Sequence, residues 1–336
     1  VEELAALARA VQRNCDIADA CHAREASMCT YLLQLREFYQ WQAGLPPGVP
    51  PPRQALARWI QERETHWTRL EGEDYGELSW RGKRYAPFDA EAINEALLAH
   101  ACVYGAGLGR RRRPHFFLAE LERVEEREGL RVLVAGRELA RDLAAFPAAL
   151  QGTIIIVRRD ALRRWICSKI ELSRARAQEG ALARALACWR LEGCDGEAFE
   201  RTLDAQTEAL VLHELGEARA AQLLGKAWET MLAGLEDART ELLARAVRDN
   251  LADCLSTLPA LLARKEPAPL HLYFSHFEGL RREIFPALAA GYRRWCEEGA
   301  AGAIARAVRE GAEHWARVAR RLVADPARAD VKQVAL

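Results

Sequence analysis

From Asp160 almost to the end of the chain, apolar residues recur at the three- and four-residue steps that place them on one face of a helix. Alanine, leucine, arginine and glutamate dominate, and these are strong helix formers. The pattern is interrupted near Gly193–Gly196, Gly225, Pro259, Pro267–Pro269, Pro286 and Gly299–Gly302, where turns or kinks are expected. With 336 residues, half of them hydrophobic, the chain can bury a substantial core. The expected fold class is mainly α, a helical bundle with a small β element.

The N-terminal half is less regular. Residues 1–43 read as an N-terminal helical segment, a short helix followed by the long CDIADACHAREASMCTYLLQLREFYQWQ. Residues 44–54 (GLPPGVPPPRQ) read as a proline-rich connector held extended by Pro46, Pro47, Pro50, Pro51 and Pro52. Residues 55–325 are then expected as the main helical domain, with 326–336 as a frayed tail. Within that domain a helix carries Trp59 and Trp67, and Asp89 is placed to cap another. Candidate strands lie near 78–86, turning at Gly82, and at the β-branched runs 130–136 and 153–158. RELARDLAAF between the last two reads as helix.

Lysine plus arginine and aspartate plus glutamate both number 48, so no global field draws the chain to nucleic acid or an anionic membrane. Nine cysteines contain no Cys-x-x-Cys pair, and their odd number fits no simple disulfide framework. No opening stretch resembles a signal peptide, and the longest apolar segment, ALLAHACVYGAGLG, is too short to span a bilayer. A soluble cytoplasmic protein acting on a small molecule or peptide, with no nucleic acid and no membrane, is the expectation.

One stretch stands out against this background. LVLHELGEAR puts His213, Glu214 and Glu217 in one turn of an otherwise apolar helix. His213 and Glu217 are one turn apart, about 6 Å along the axis, and share an inward face. A buried carboxylate needs a partner, either an arginine such as Arg219, Arg239 or Arg245, a proton, or a metal ion. One imidazole with carboxylates suits one divalent metal, zinc, iron or manganese. Asp249 and Asp253 lie downstream as supporting carboxylates, and Glu241, Arg245 and Asp249 step at i+4 as an ion-pair ladder.

VLHELGEA resembles the zinc-helix signature of zincin metallopeptidases, with Glu217 in the place of the second histidine. That resemblance implies a metal-dependent hydrolase in which His213 and Glu217 are metal ligands and Glu214 is the catalytic base. EDARTE resembles the glutamate-bearing helix of one dipeptidyl-peptidase group and implies Asp237 or Glu241 as a third ligand. The N-terminal stretch, HELGEA and FEGLRREIFPAL are also similar to an uncharacterised bacterial family of helical proteins, which brings no activity with it.

A second cluster lies in the first segment, where Asp16, Asp19, His22 and Glu37 follow helical steps. Asp19-x-x-His22 has the spacing used by di-metal carboxylate bundles, although Asp19 and Glu37 are about 27 Å apart on a straight helix. Three readings follow. The first is the zincin-like hydrolase; the second is a di-iron or di-manganese oxidoreductase using Asp19, His22, His213, Glu217 and Glu241. The third is a non-enzymatic helical interaction scaffold. YGAGLGRRRRPHFF, with Gly105, Gly107, Gly109 and Arg110–Arg113, reads as a solvated basic turn, with an anion cradle as the alternative.

Overall fold

The computed structural model describes residues 2–109, 113–176, 180–191, 193–264, 266–326 and 330–336. It is mainly α with two small sheets, and it divides into two compact units, residues 1–172 and 173–336.

The N-terminal unit opens with α1 (Glu2–His22), α2 (Met28–Gln42) and α3 (Arg53–Leu70). A hairpin β1 (Leu78–Trp80) and β2 (Lys83–Tyr85) precedes α4 (Ala90–Leu97). Then come β3 (Cys102–Leu108), β4 (Pro114–Arg127), β5 (Leu130–Arg141), β6 (Ala148–Gln151) and β7 (Ile154–Arg158), followed by α5 (Arg159–Arg176). The five strands order β3-β4-β5-β7-β6, antiparallel except for the parallel β5–β7 pair.

The sheet carries two apolar faces. Tyr104, Phe116 and Leu118 pack with Leu7, Val11, Cys15 and Ala18 of α1, while their neighbours Val103, Phe117 and Ala119 join Leu133, Ala135 and Ile156 in a separate core. This is the two-residue alternation of a pleated strand. Gly105 is small because a Cβ there would lie 1.9 Å from the ring of Phe117, its cross-strand partner.

Several expectations need correction. The long first helix is two helices: a 3-10 turn at Ala23–Glu25 ends α1, and Ser27 restarts the chain by accepting a hydrogen bond from Thr30 N. The segment ALLAHACVY passes from the end of α4 into β3, and RELARDLAAF, expected as helix, begins as the last part of β5. β4 was not foreseen, because LAELERVEER is rich in helix formers; pairing on both sides by β3 and β5 overrides that propensity. Arg110–Arg112 of the basic turn lie outside the described residues; Arg113 pairs with Asp19.

The C-terminal unit contains α6 (Ala181–Trp189), α7 (Gly196–Ala233), α8 (Ala238–Ala252), α9 (Leu258–Arg264), α10 (Pro267–His276), α11 (Gly279–Ile284), α12 (Pro286–Glu298), α13 (Gly302–Ala324) and α14 (Val331–Val334). α7 kinks at Gly225, whose φ is 67°. Asp253–Thr257 form a π-helical turn between α8 and α9. The core gathers Leu243, Val247, Leu251, Phe285, Ile304 and Trp315. Residues 330–336 of the tail, expected to fray, are docked: Leu336 N donates to Ile284 O, Ala287 N donates to Leu336 O, and Val334 is buried. No described helix is long and apolar enough to cross a membrane.

Candidate metal centre

The centre stands where α7 passes the C-terminal end of α8. A Cβ at Gly216 would lie 2.2 Å from the carbonyl oxygen of Ala252, so only glycine permits this approach. The contact sets His213 and Glu217, on either side of Gly216, against Asp249 and Asp253 from α8 and the π-helical turn that follows it. π-Helical turns inserted in helices are frequent at functional sites.

His213, Glu217 and Asp249 each present a ligand atom within 4.8 Å of the other two. The imidazole is held from behind, with Nδ1 2.8 Å from Asp253 Oδ1, while Nε2 lies 3.7 Å from Glu217 Oε1. Asp253 is itself fixed through Oδ2, which accepts from Tyr273 OH at 2.7 Å and from Arg281. A carboxylate on the far nitrogen selects the tautomer and orientation that leave the other nitrogen to bind a metal. Arg248 Nη2 donates to Glu217 Oε1 at 2.6 Å.

Charge in the cluster is redistributed by these contacts. Burial opposes a charge on His213, yet the Asp253 carboxylate and its hydrogen bond, with Glu217 behind, raise its pKa well above the usual imidazole range. Glu217 is lowered to about 2: burial works against ionisation, but the His213 hydrogen bond and Arg248 outweigh it. Glu214 goes the other way, raised to about 7 by burial and then by the Glu217 charge. Burial raises Asp249, against the pull of Arg281. Asp253 falls below the carboxylate range: Arg281 and His213 overcome its burial. Two neighbouring glutamates of one turn are thereby driven to opposite protonation behaviour, the arrangement that assigns acid and base roles in enzyme sites.

The other candidates from the sequence lie elsewhere. Asp237 caps the start of α8 by accepting from Thr240 N, and Glu241 pairs with Arg245 at 2.8 Å, two turns before Asp249. Asp19 and His22 belong to the N-terminal unit, where Asp19 accepts from Arg113 at 2.9 Å and from Leu143 N at 2.8 Å, and His22 bonds Glu25. Glu37 pairs with Arg141, and Asp16 with Arg63 and His66. Sequence reasoning gave Asp249 a supporting role, and the structure brings its carboxylate into the cluster with His213 and Glu217. The legible signal was its place two turns after Glu241 on the same helix. Arg248 and Arg281 carried no signal, because their partners come from other helices.

The fold and the cluster define a mainly helical protein of two units, with an acid-rich histidine centre in the second. The chain belongs to a family of unknown function (DUF6866): the model of its N-terminal domain matches residues 6–158, and that of its C-terminal domain matches residues 163–335. No curated protein and no solved structure matches the chain, and the family matches give the zincin likeness no support.

Proposed function

We propose that the C-terminal unit binds one divalent cation through His213 Nε2, Glu217 and Asp249, and that the site carries out metal-assisted hydrolysis with Glu214 as general base. The observation that carries the reading is the 2.8 Å Asp253–His213 contact, which leaves Nε2 toward Glu217 in the cluster that Asp249 completes. Charge supports it as well. Glu214, Glu217, Asp249 and Asp253 face Arg248 and Arg281; a dication beside a neutral His213 brings that set to zero with all four carboxylates ionised. A histidine with two carboxylates is an oxygen-rich set, which favours manganese or iron alongside zinc.

When bound, the cation supplies Lewis acidity toward a scissile carbonyl or phosphoryl group. The protein's own part is proton transfer. Glu214, a buried carboxylate beside His213 and Glu217, is the group placed to take a proton from the attacking water and return it to the leaving group. His213 is about one-fifth exposed and Asp249 about one-quarter, so the cluster is open to solvent.

A second reading, a metal-free ion-pair cluster in a helical scaffold, is favoured by the 2.6 Å Arg248–Glu217 bond. Elemental analysis and titration with zinc, manganese and iron(II) separate the two. The proposal expects about one equivalent in the wild type, lost in His213→Ala and Asp249→Ala and kept in Glu214→Gln. A wild type that binds none of the three ions at micromolar concentration overturns it.

A further inference from the structure

In the N-terminal unit, side chains of α1, α2 and α3 line a cavity of about 510 Å³. That size lies within the roughly 300–1,000 Å³ of small-molecule sites. One wall is aromatic. Phe38 is buried, and Trp41 and Trp59 line the cavity with partly exposed rings, their centroids 5.4 and 5.8 Å from that of Phe38.

A single arginine orders the polar groups beside those rings. Arg63 lies over Phe38 and Trp59, 5.1 and 5.3 Å from their centroids. Its Nη1 donates to Asp16 Oδ1 at 2.9 Å, and its Nη2 donates to Gln42 Oε1 at 2.7 Å. Trp59 Nε1 donates to the same Gln42 oxygen at 3.1 Å, which fixes the amide and leaves its Nε2 as a donor. Asp16 Oδ2 lies 3.1 Å from His66 Nε2, and a carboxylate there selects the tautomer whose Nδ1 is an acceptor. Gln42 is exposed and the His66 side chain is half-exposed, and both line the cavity. Among the described residues Gln42 Nε2 and His66 Nδ1 have no partner.

One donor and one acceptor are thus oriented from behind and left open beside stacking surfaces. The ionised side chains of the lining cancel, Arg9 and Arg63 against Asp16 and Glu62, so a polyphosphate finds no net counter-charge. We infer that this cavity binds a nucleoside, its base against the tryptophans, with Gln42 Nε2 donating to a ring nitrogen or carbonyl and His66 Nδ1 accepting from an N–H or hydroxyl. A nucleoside combines a neutral planar ring with hydrogen-bonding groups of both kinds; a hydrocarbon ring would leave both protein groups unmet.

The test is isothermal titration calorimetry of the full chain with adenosine, cytidine, adenosine monophosphate and indole. Both nucleosides are expected to bind saturably at about one equivalent, and the monophosphate no more tightly than adenosine. Indole, which has a donor and no acceptor, should bind about tenfold more weakly. Gln42→Glu keeps the oxygen that Trp59 and Arg63 use but removes the donor, so adenosine affinity should fall about tenfold with Tm unchanged. Trp59→Leu should cost about tenfold or more through lost stacking; if it does not fold, Gln42→Glu at its exposed position decides the matter. The inference is overturned if neither nucleoside binds the wild type at about 1 mM. It is overturned equally if the monophosphate binds more tightly than adenosine, if indole matches adenosine, or if Gln42→Glu binds adenosine like the wild type.

Discussion

Each unit of the molecule contains a histidine whose Nδ1 is bound to a buried aspartate, and the two pairs have different surroundings. In the N-terminal unit His115 Nδ1 lies 2.6 Å from Asp142 Oδ2; in the C-terminal unit His213 Nδ1 lies 2.8 Å from Asp253 Oδ1. The far nitrogens separate them. His115 Nε2 is buried with no hydrogen-bond partner, and a Cβ on Gly109 would come within 2.6 Å of it. His213 Nε2 lies 3.7 Å from Glu217 Oε1, in the cluster that Asp249 completes. Asp142 also lies 3.6 Å from Arg158, which with Arg141 contacts Glu138, so the first pair belongs to a buried ion-pair network. An Asp–His pair is thus not a functional signature in itself; what the second nitrogen meets decides its use.

The largest expected effect separates these roles. Asp142→Asn removes a fully buried partner of His115 and Arg158 and should cost about 3–5 kcal/mol in denaturant unfolding, with metal content unchanged. Asp253→Asn should also destabilise and should in addition weaken metal binding by about 10–100-fold. If both substitutions weaken metal binding equally, the distinction between the two pairs is lost. Next in size, Glu214→Gln should retain metal and Tm while lowering hydrolytic turnover by about 10²-fold or more. Full turnover in an assay that His213→Ala abolishes would remove Glu214 from the chemistry.

Gly216→Ala forces α7 and α8 apart at Ala252 and should cost about 1–3 kcal/mol together with some metal affinity. A wild-type Tm in that variant would show that the helices are not in the contact described. The smallest effect is acid sensitivity. Burial opposes ionisation of Asp142, but His115 and Arg158 hold its folded pKa below the ordinary range. Its stabilisation is therefore complete above the unfolded pKa of about 3.9 and is lost as pH falls toward the folded value. Unfolding free energy of the wild type should drop more steeply below about pH 4 than that of Asp142→Asn, and parallel slopes would contradict the assignment.

What the sequence disclosed follows from the range of the interactions involved. Helices of the C-terminal half were legible because α7 and α8 have strong intrinsic formers at regular spacing. The His213–Glu217 pair was legible for the same reason, being one helical turn apart. Asp253 and Arg281 reach that pair from the π-helical turn and from α11, and no local pattern announces a contact made across helices. β4 was hidden for the converse reason: its composition favours a helix, and only its neighbours in the sheet make it a strand. The break at Ser27 was readable in principle as an N-cap, but the apolar spacing on both sides outweighed one polar residue.

For the proposed metal site, the contact at Gly216 would bear on ion choice. The proposed ligands from α7 and α8 would share a span set by backbone meeting backbone, with no side chain between them to compress or rotate. The gap therefore acts as a fixed caliper between two stiff rods. Ions with shorter bonds would be accommodated by the rotamers of Glu217 and Asp249 alone, whereas larger ions would have to prise the rods apart. Discrimination by ionic radius would then originate in a residue that has no side chain and touches no ion.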